Sequence, residues 1–120
     1  MNIVYVFIGG GIGSVLRYAL GRLSKTWDIP LPIGTFLSNI LAAAILAIVW
    51  SMSDERSSKS WFYPLLAIGF CGGLSTFSTF SLETVQLMRN GQWMWAIFNV
   101  VFTTVICLLI VYRLSRNVSV

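Results

Sequence analysis

The residues in this sequence that could do chemistry are few, and most of them sit in one stretch. Gly69-Phe70-Cys71-Gly72-Gly73-Leu74-Ser75-Thr76-Phe77-Ser78-Thr79-Phe80-Ser81 places hydroxyls, glycines and phenylalanines in the middle of an apolar span. The chain has no histidine, so the commonest general base and metal ligand is missing. The hydroxyls therefore have no base to pair with, and Glu83 has no second intramembrane carboxylate for acid–base work. What remains is recognition. The amide of Asn39 and the hydroxyls of Ser75, Thr76, Ser78 and Thr79 suit an anion, and the edge of an aromatic ring carries partial positive charge. Phe77 and Phe80 stand three apart and share a helical face. Two ring edges could help replace water around a small anion, although the same spacing also serves plain packing.

An element that positions such groups cannot be an ordinary helix. Each interior glycine costs about 1 kcal/mol relative to alanine, and Ser and Thr offer the backbone competing hydrogen bonds. Irregular backbone at membrane depth survives only inside protein or along a water-filled cavity. The third apolar span, about residues 62–88, is longer than the roughly 20 residues a bilayer needs. The sequence thus predicts a helix broken over Gly72 to Thr76, as in the discontinuous helices of transporters.

Of the 120 residues, 57% are hydrophobic and 10% charged, against about 25% charged in soluble domains. This predicts an all-α membrane protein of one domain with four spans, about 3–21, 33–52, 62–88 and 92–112. The N-terminus has no basic region and no small-residue cleavage site, so the first span is expected to be retained. The net charge is +4, but the basic residues are scattered among short loops. That argues against a nucleic-acid partner and for anionic lipid headgroups or anions. Cys71 and Cys107 lie in apolar spans and read as small buried hydrophobes; alone they cannot hold zinc.

In the first span, Gly9 and Gly13 form a GxxxG face that admits a neighbouring helix backbone. Arg17 either snorkels to the interface or is itself a cation held at the mouth of an anion path. In the second span Asn39 reads either as interhelical glue or as a donor to a ligand. The loop with Asp54, Glu55, Arg56 and Lys59 reads as a solvated turn, and Glu83 as a snorkelling or paired carboxylate. Arg89-Asn90-Gly91 is a tight turn that makes the third and fourth spans antiparallel neighbours. Asn99, Thr103 and Cys107 recur every four residues as a thin polar stripe, suited to glue or to a pore lining. Asn117-Val118-Ser119 matches a glycosylation sequon and carries no weight.

Four spans put both termini on one side, with Arg56, Lys59, Arg113 and Arg116; Arg17, Arg22, Lys25 and Arg89 lie on the other. An excess on one side is what sets orientation, and here there is none. The expectation is insertion both ways and an antiparallel homodimer about a two-fold axis in the membrane plane. The carbonyls of a mid-membrane break, doubled by that axis, would form an oxygen cage for a hard monovalent cation.

Gly69-Phe-Cys-Gly-Gly-Leu-Ser-Thr-Phe-Ser-Thr-Phe80 resembles the signature of the Fluc (CrcB-type) fluoride channels. Gly9-Gly-Gly-Ile-Gly-Ser-Val-Leu-Arg17-Tyr18 and Pro32-Ile-Gly-Thr-Phe-Leu-Ser-Asn39 resemble two further motifs of that family, in the right order. The resemblance implies passive fluoride export across a bacterial inner membrane by a dual-topology homodimer with two pores. It implies a structural sodium ion held by the backbone carbonyls of Gly72 and Ser75. Phe77 and Phe80 would line the fluoride path, Asn39 would donate to fluoride, and Arg17 would lie at the vestibule. Ser78 and Thr79 would add hydroxyl contacts, with Glu83 further along. Thr103 and Cys107 align with a polar track on the fourth helix, where Cys107 stands in place of an expected hydroxyl residue. The rival reading is a small dual-topology multidrug-type antiporter, which needs a carboxylate deep in its first span; this span has Arg17 and no acid. A structural subunit without transport would leave the costly break unexplained, and an enzyme lacks its catalytic groups.

Overall fold

The structure, a computed structural model, describes residues 2–52 and 61–115. The loop with Asp54, Glu55, Arg56 and Lys59, together with Arg116 and the Asn117 sequon, lies outside the described residues. All regular structure among the described residues is helical: α1 (Asn2–Ser24), α2 (Ile33–Met52), α3 (Pro64–Cys71), α4 (Gly72–Leu74), α5 (Phe77–Arg89) and α6 (Trp93–Leu114). Four stretches are long and apolar enough to cross a membrane: α1, α2, the run Pro64–Arg89 and α6.

Local chemistry accounts for the ends. Pro32 opens α2 by accepting the Phe36 N–H at 3.0 Å, and Pro64 stands at the first position of α3, where a missing N–H costs nothing. After α5 the chain closes a Schellman turn: Gln92 N donates to Leu87 O at 2.8 Å and Gly91 N to Met88 O at 3.0 Å. Gly91 takes φ +79, the left-handed conformation this motif needs and glycine adopts without strain.

α1 packs along α3 and α4 through a seam of glycines. A Cβ on Gly9 would run into the Leu65 carbonyl oxygen, one on Gly13 into that of Phe70, and one on Gly73 into that of Gly10. Main chain therefore lies on main chain, the close approach that small residues allow in apolar surroundings. The partner of the Gly9–Gly13 face is thus the third span of the same chain. Leu74, fully buried, closes the core with Ala42 and Cys71 against Leu20, Ile45, Leu46 and Phe70. On the other side α2 meets α6, where Phe36 stacks on Phe102 with centroids 5.1 Å apart.

The third span changes character along its length. α3 is wound as a π-helix and α4 continues it for one short turn. Ser75 (φ −81, ψ 154) and Thr76 (φ −153, ψ 125) are then extended, and α5 begins at Phe77. The expected non-helical stretch of Gly72 to Thr76 is corrected to Ser75 and Thr76 alone. Gly73 is used for close packing on Gly10, and Gly72 keeps helical angles (φ −63, ψ −37). The hydroxyl residues make the interruption. Ser75 Oγ donates back to Cys71 O at 2.9 Å, and Thr76 Oγ1 accepts Thr79 N–H at 3.2 Å as the N-cap of α5.

Candidate functional site

Two cavities border the third span, and the second of them reaches the extended residues. The first, about 480 Å³, is lined by Arg17, Arg22, Lys25, Thr35, Thr79 and Glu83 among others. The second, about 440 Å³, has Asn39, Gly72, Ser75, Phe77, Phe80, Thr103 and Cys107 in its walls. The residues singled out from sequence are therefore divided between two spaces. Thr79 faces one and Phe80 the other, so consecutive residues of α5 serve both. Ser78 lines neither; its exposed hydroxyl lies 3.2 Å from Thr76 Oγ1.

In the second cavity the two rings meet as their spacing predicts: Phe77 and Phe80 have centroids 5.8 Å apart and planes tilted by 36°. Phe77 is 78% exposed in the single chain, so one of its faces has no wall. Opposite the rings, Asn39 on α2 engages the break itself. Its Oδ1 accepts the Thr76 N–H at 2.9 Å, and its Nδ2 reaches Thr76 O at 3.5 Å. The α6 stripe supplies Thr103 and Cys107 to the groove. Asn99 turns away from it, buried between α5 and α6, with Nδ2 on Thr84 Oγ1 at 2.9 Å.

Arg17 does not snorkel outward. Its Nε donates to Gly73 O at 3.0 Å, placing a cation at the C-terminal end of α4, where the carbonyl dipoles favour it. The guanidinium also lines the first cavity with Arg22 and Lys25, so that space carries three cations against the one carboxylate of Glu83. Glu83 is partly buried beside the Thr35 side chain, and its Oε1 is enclosed without a partner among the described residues. Sequence reasoning missed two contributors. Thr35 stands in the sequence only as part of the Pro32–Asn39 motif, and Thr84 carries no reading there. The usable signal for Thr84 was its place one turn beyond Phe80, whose carbonyl its hydroxyl caps at 2.8 Å.

Four apolar crossings around a polar interruption define a multi-pass membrane protein. A family model described as "CrcB-like protein, Camphor Resistance (CrcB)" matches residues 4–113, and the chain belongs to that family. It is similar to the "Fluoride-specific ion channel FluC" of Serratia proteamaculans, with 41% identity over 99 residues, 82% of this chain and 78% of that protein. Proteins of the same name from Shewanella pealeana and Shewanella oneidensis are 36% identical over 112 residues, 92% of this chain and 90% of theirs.

Proposed function

We propose that this chain is a fluoride-selective channel of the bacterial inner membrane, working as an antiparallel pair with two pores. The observation that carries the reading is the second cavity, which two phenylalanines, the Asn39 amide and Thr103 line together. Fluoride is small and tightly hydrated, so stripping its water is costly. Several weak, polarised partners in series can replace that water without trapping the ion. The cation-rich first cavity gathers anions at the mouth. Export needs no fuel, because a negative interior drives the anion outward at about 2.3 kcal/mol per charge per 100 mV.

The half-open position of Phe77 supports a second copy, which would supply the missing wall. The family implies a structural sodium ion, and this chain's groups suit one. Gly72 and Ser75 border the same groove, and a Cβ at Gly72 would meet nothing within 4 Å. Carbonyls from two opposed copies would give the oxygen set a hard monovalent cation takes. Bound there, sodium would supply the central positive charge that holds the copies together.

The test is efflux from liposomes containing the purified protein. Fluoride should leave and chloride should stay, and Phe80→Ile should abolish fluoride flux with the assembly intact. Wild-type flux in the variant would remove the ring pair from the path; equal chloride flux would remove the selectivity.

A further inference from the structure

We infer that Asn39 is a positioning residue that holds the third span open at Ser75 and Thr76, and that by doing so it leaves the Gly72 carbonyl free to face a cation. In an uninterrupted α-helix the Thr76 N–H would close onto Gly72 O, four residues back. Here that N–H is given to Asn39 Oδ1 at 2.9 Å. The same side chain returns Nδ2 toward Thr76 O at 3.5 Å. Thr76 is extended (φ −153, ψ 125), the conformation in which a residue exchanges both of its main-chain hydrogen bonds with one neighbour, as in an antiparallel pair. The carboxamide acts as that neighbour, offering one acceptor and one donor in a single plane.

The neighbouring groups are accounted for. Cys71 O accepts both the N–H and the hydroxyl of Ser75, each at 2.9 Å. Gly73 O accepts Arg17 Nε. Gly72 O lies between them with its ordinary donor drawn away, in an exposed residue that borders the groove and has open space where a Cβ would sit. The clamp also aims the amide. Thr76 N–H can only donate, so Oδ1 must face it and Nδ2 falls on the side of Thr76 O. One of its hydrogens serves Thr76 O; the second remains for the groove that Phe77, Phe80 and Thr103 share with Asn39. Only an amide does both jobs, since a carboxylate has acceptors alone and leucine has neither.

The clamp stands on the hydrogen bonds; its consequence for a cation rests on the channel reading above. The full chain in detergent should be compared as wild type, Asn39→Leu and Asn39→Asp. Site-resolved amide exchange is read at Thr76. Thermal stability is read in sodium chloride against the chloride of a large organic cation. Asn39→Leu should speed Thr76 exchange about tenfold or more and abolish the sodium-dependent rise in Tm that the wild type shows. Asn39→Asp keeps the acceptor, so Thr76 should stay protected while fluoride flux is lost with the donor. Unchanged Thr76 exchange in Asn39→Leu overturns the clamp, and so does fast exchange in Asn39→Asp if Asn39→Leu fails to fold. Lost protection with the sodium response intact, or a wild type without that response, overturns the link to the Gly72 carbonyl. A wild type that conducts no fluoride yet shows the exchange changes would sink the channel reading and leave the clamp standing.

Discussion

Asn99 is 1% exposed, and both ends of its amide are used. Thr103 Oγ1 donates to its Oδ1 at 3.4 Å, its Nδ2 donates to Thr84 Oγ1, and Thr84 Oγ1 donates to Phe80 O. Donation runs from Thr103 through Asn99, both on α6, to Thr84 and the Phe80 carbonyl on α5, so the Thr103 hydroxyl has its proton already engaged. To donate to an anion it must first release a long, weak bond. Replacing Asn99 with leucine strands the Thr103 hydroxyl and removes the donor to Thr84 Oγ1, and should cost about 1–3 kcal/mol, read as a lower unfolding temperature in detergent; an unchanged midpoint would show that the network carries no stability. Polar residues of this kind were legible as types but not as roles. The spacing of Asn99, Thr103 and Cys107 marked a shared stripe, yet a few degrees of helix rotation decide which member faces the partner helix and which the groove. Arg17 was open between an outward and an inward position for the same reason. Its target, the Gly73 carbonyl, is main chain and leaves no side-chain signature.

At the scale of elements, glycines and hydroxyl residues divide the work that sequence reasoning assigned to them together. Gly69 and Gly73 pack on α1, Gly72 borders the groove, and Ser75 and Thr76 break. Composition alone does not separate these uses, because a glycine required for close approach and one required for an unusual backbone are the same letter. The seam makes the difference measurable. Gly13→Ala sets a methyl against the Phe70 carbonyl and should destabilise by about 1–3 kcal/mol, as overpacking does. Gly11, with nothing within 4 Å of a built Cβ, should accept alanine with no loss and a gain of up to about 1 kcal/mol from helix propensity. Equal unfolding midpoints for the two variants would contradict the seam.

For the whole molecule, the spans were plain from hydropathy and length, which act over twenty residues at a time. What surrounds the chain was not. Phe77 is largely uncovered, and Gly72 has empty space where a side chain would go. Gly72→Val is therefore tolerable within one chain, and any loss of assembly it causes reports a neighbour. The expected result is a shift from dimer to monomer in detergent with the helix content kept; a variant that stays dimeric would place the second copy elsewhere. The even division of Lys and Arg between the two sides gives the companion expectation that topology reporters fused to one terminus will register on both faces of the membrane.

The glycine seam also orders events during synthesis. α1 lies against α3 and α4, main chain on main chain, and nearly forty residues separate Ser24 from Pro64. A nascent chain emerges N-terminus first, so the opening helix enters the lipid well before the surface it fits has been made. Until then its row of bare backbone is greased only by acyl chains, and the bundle can lock only when the interrupted crossing arrives.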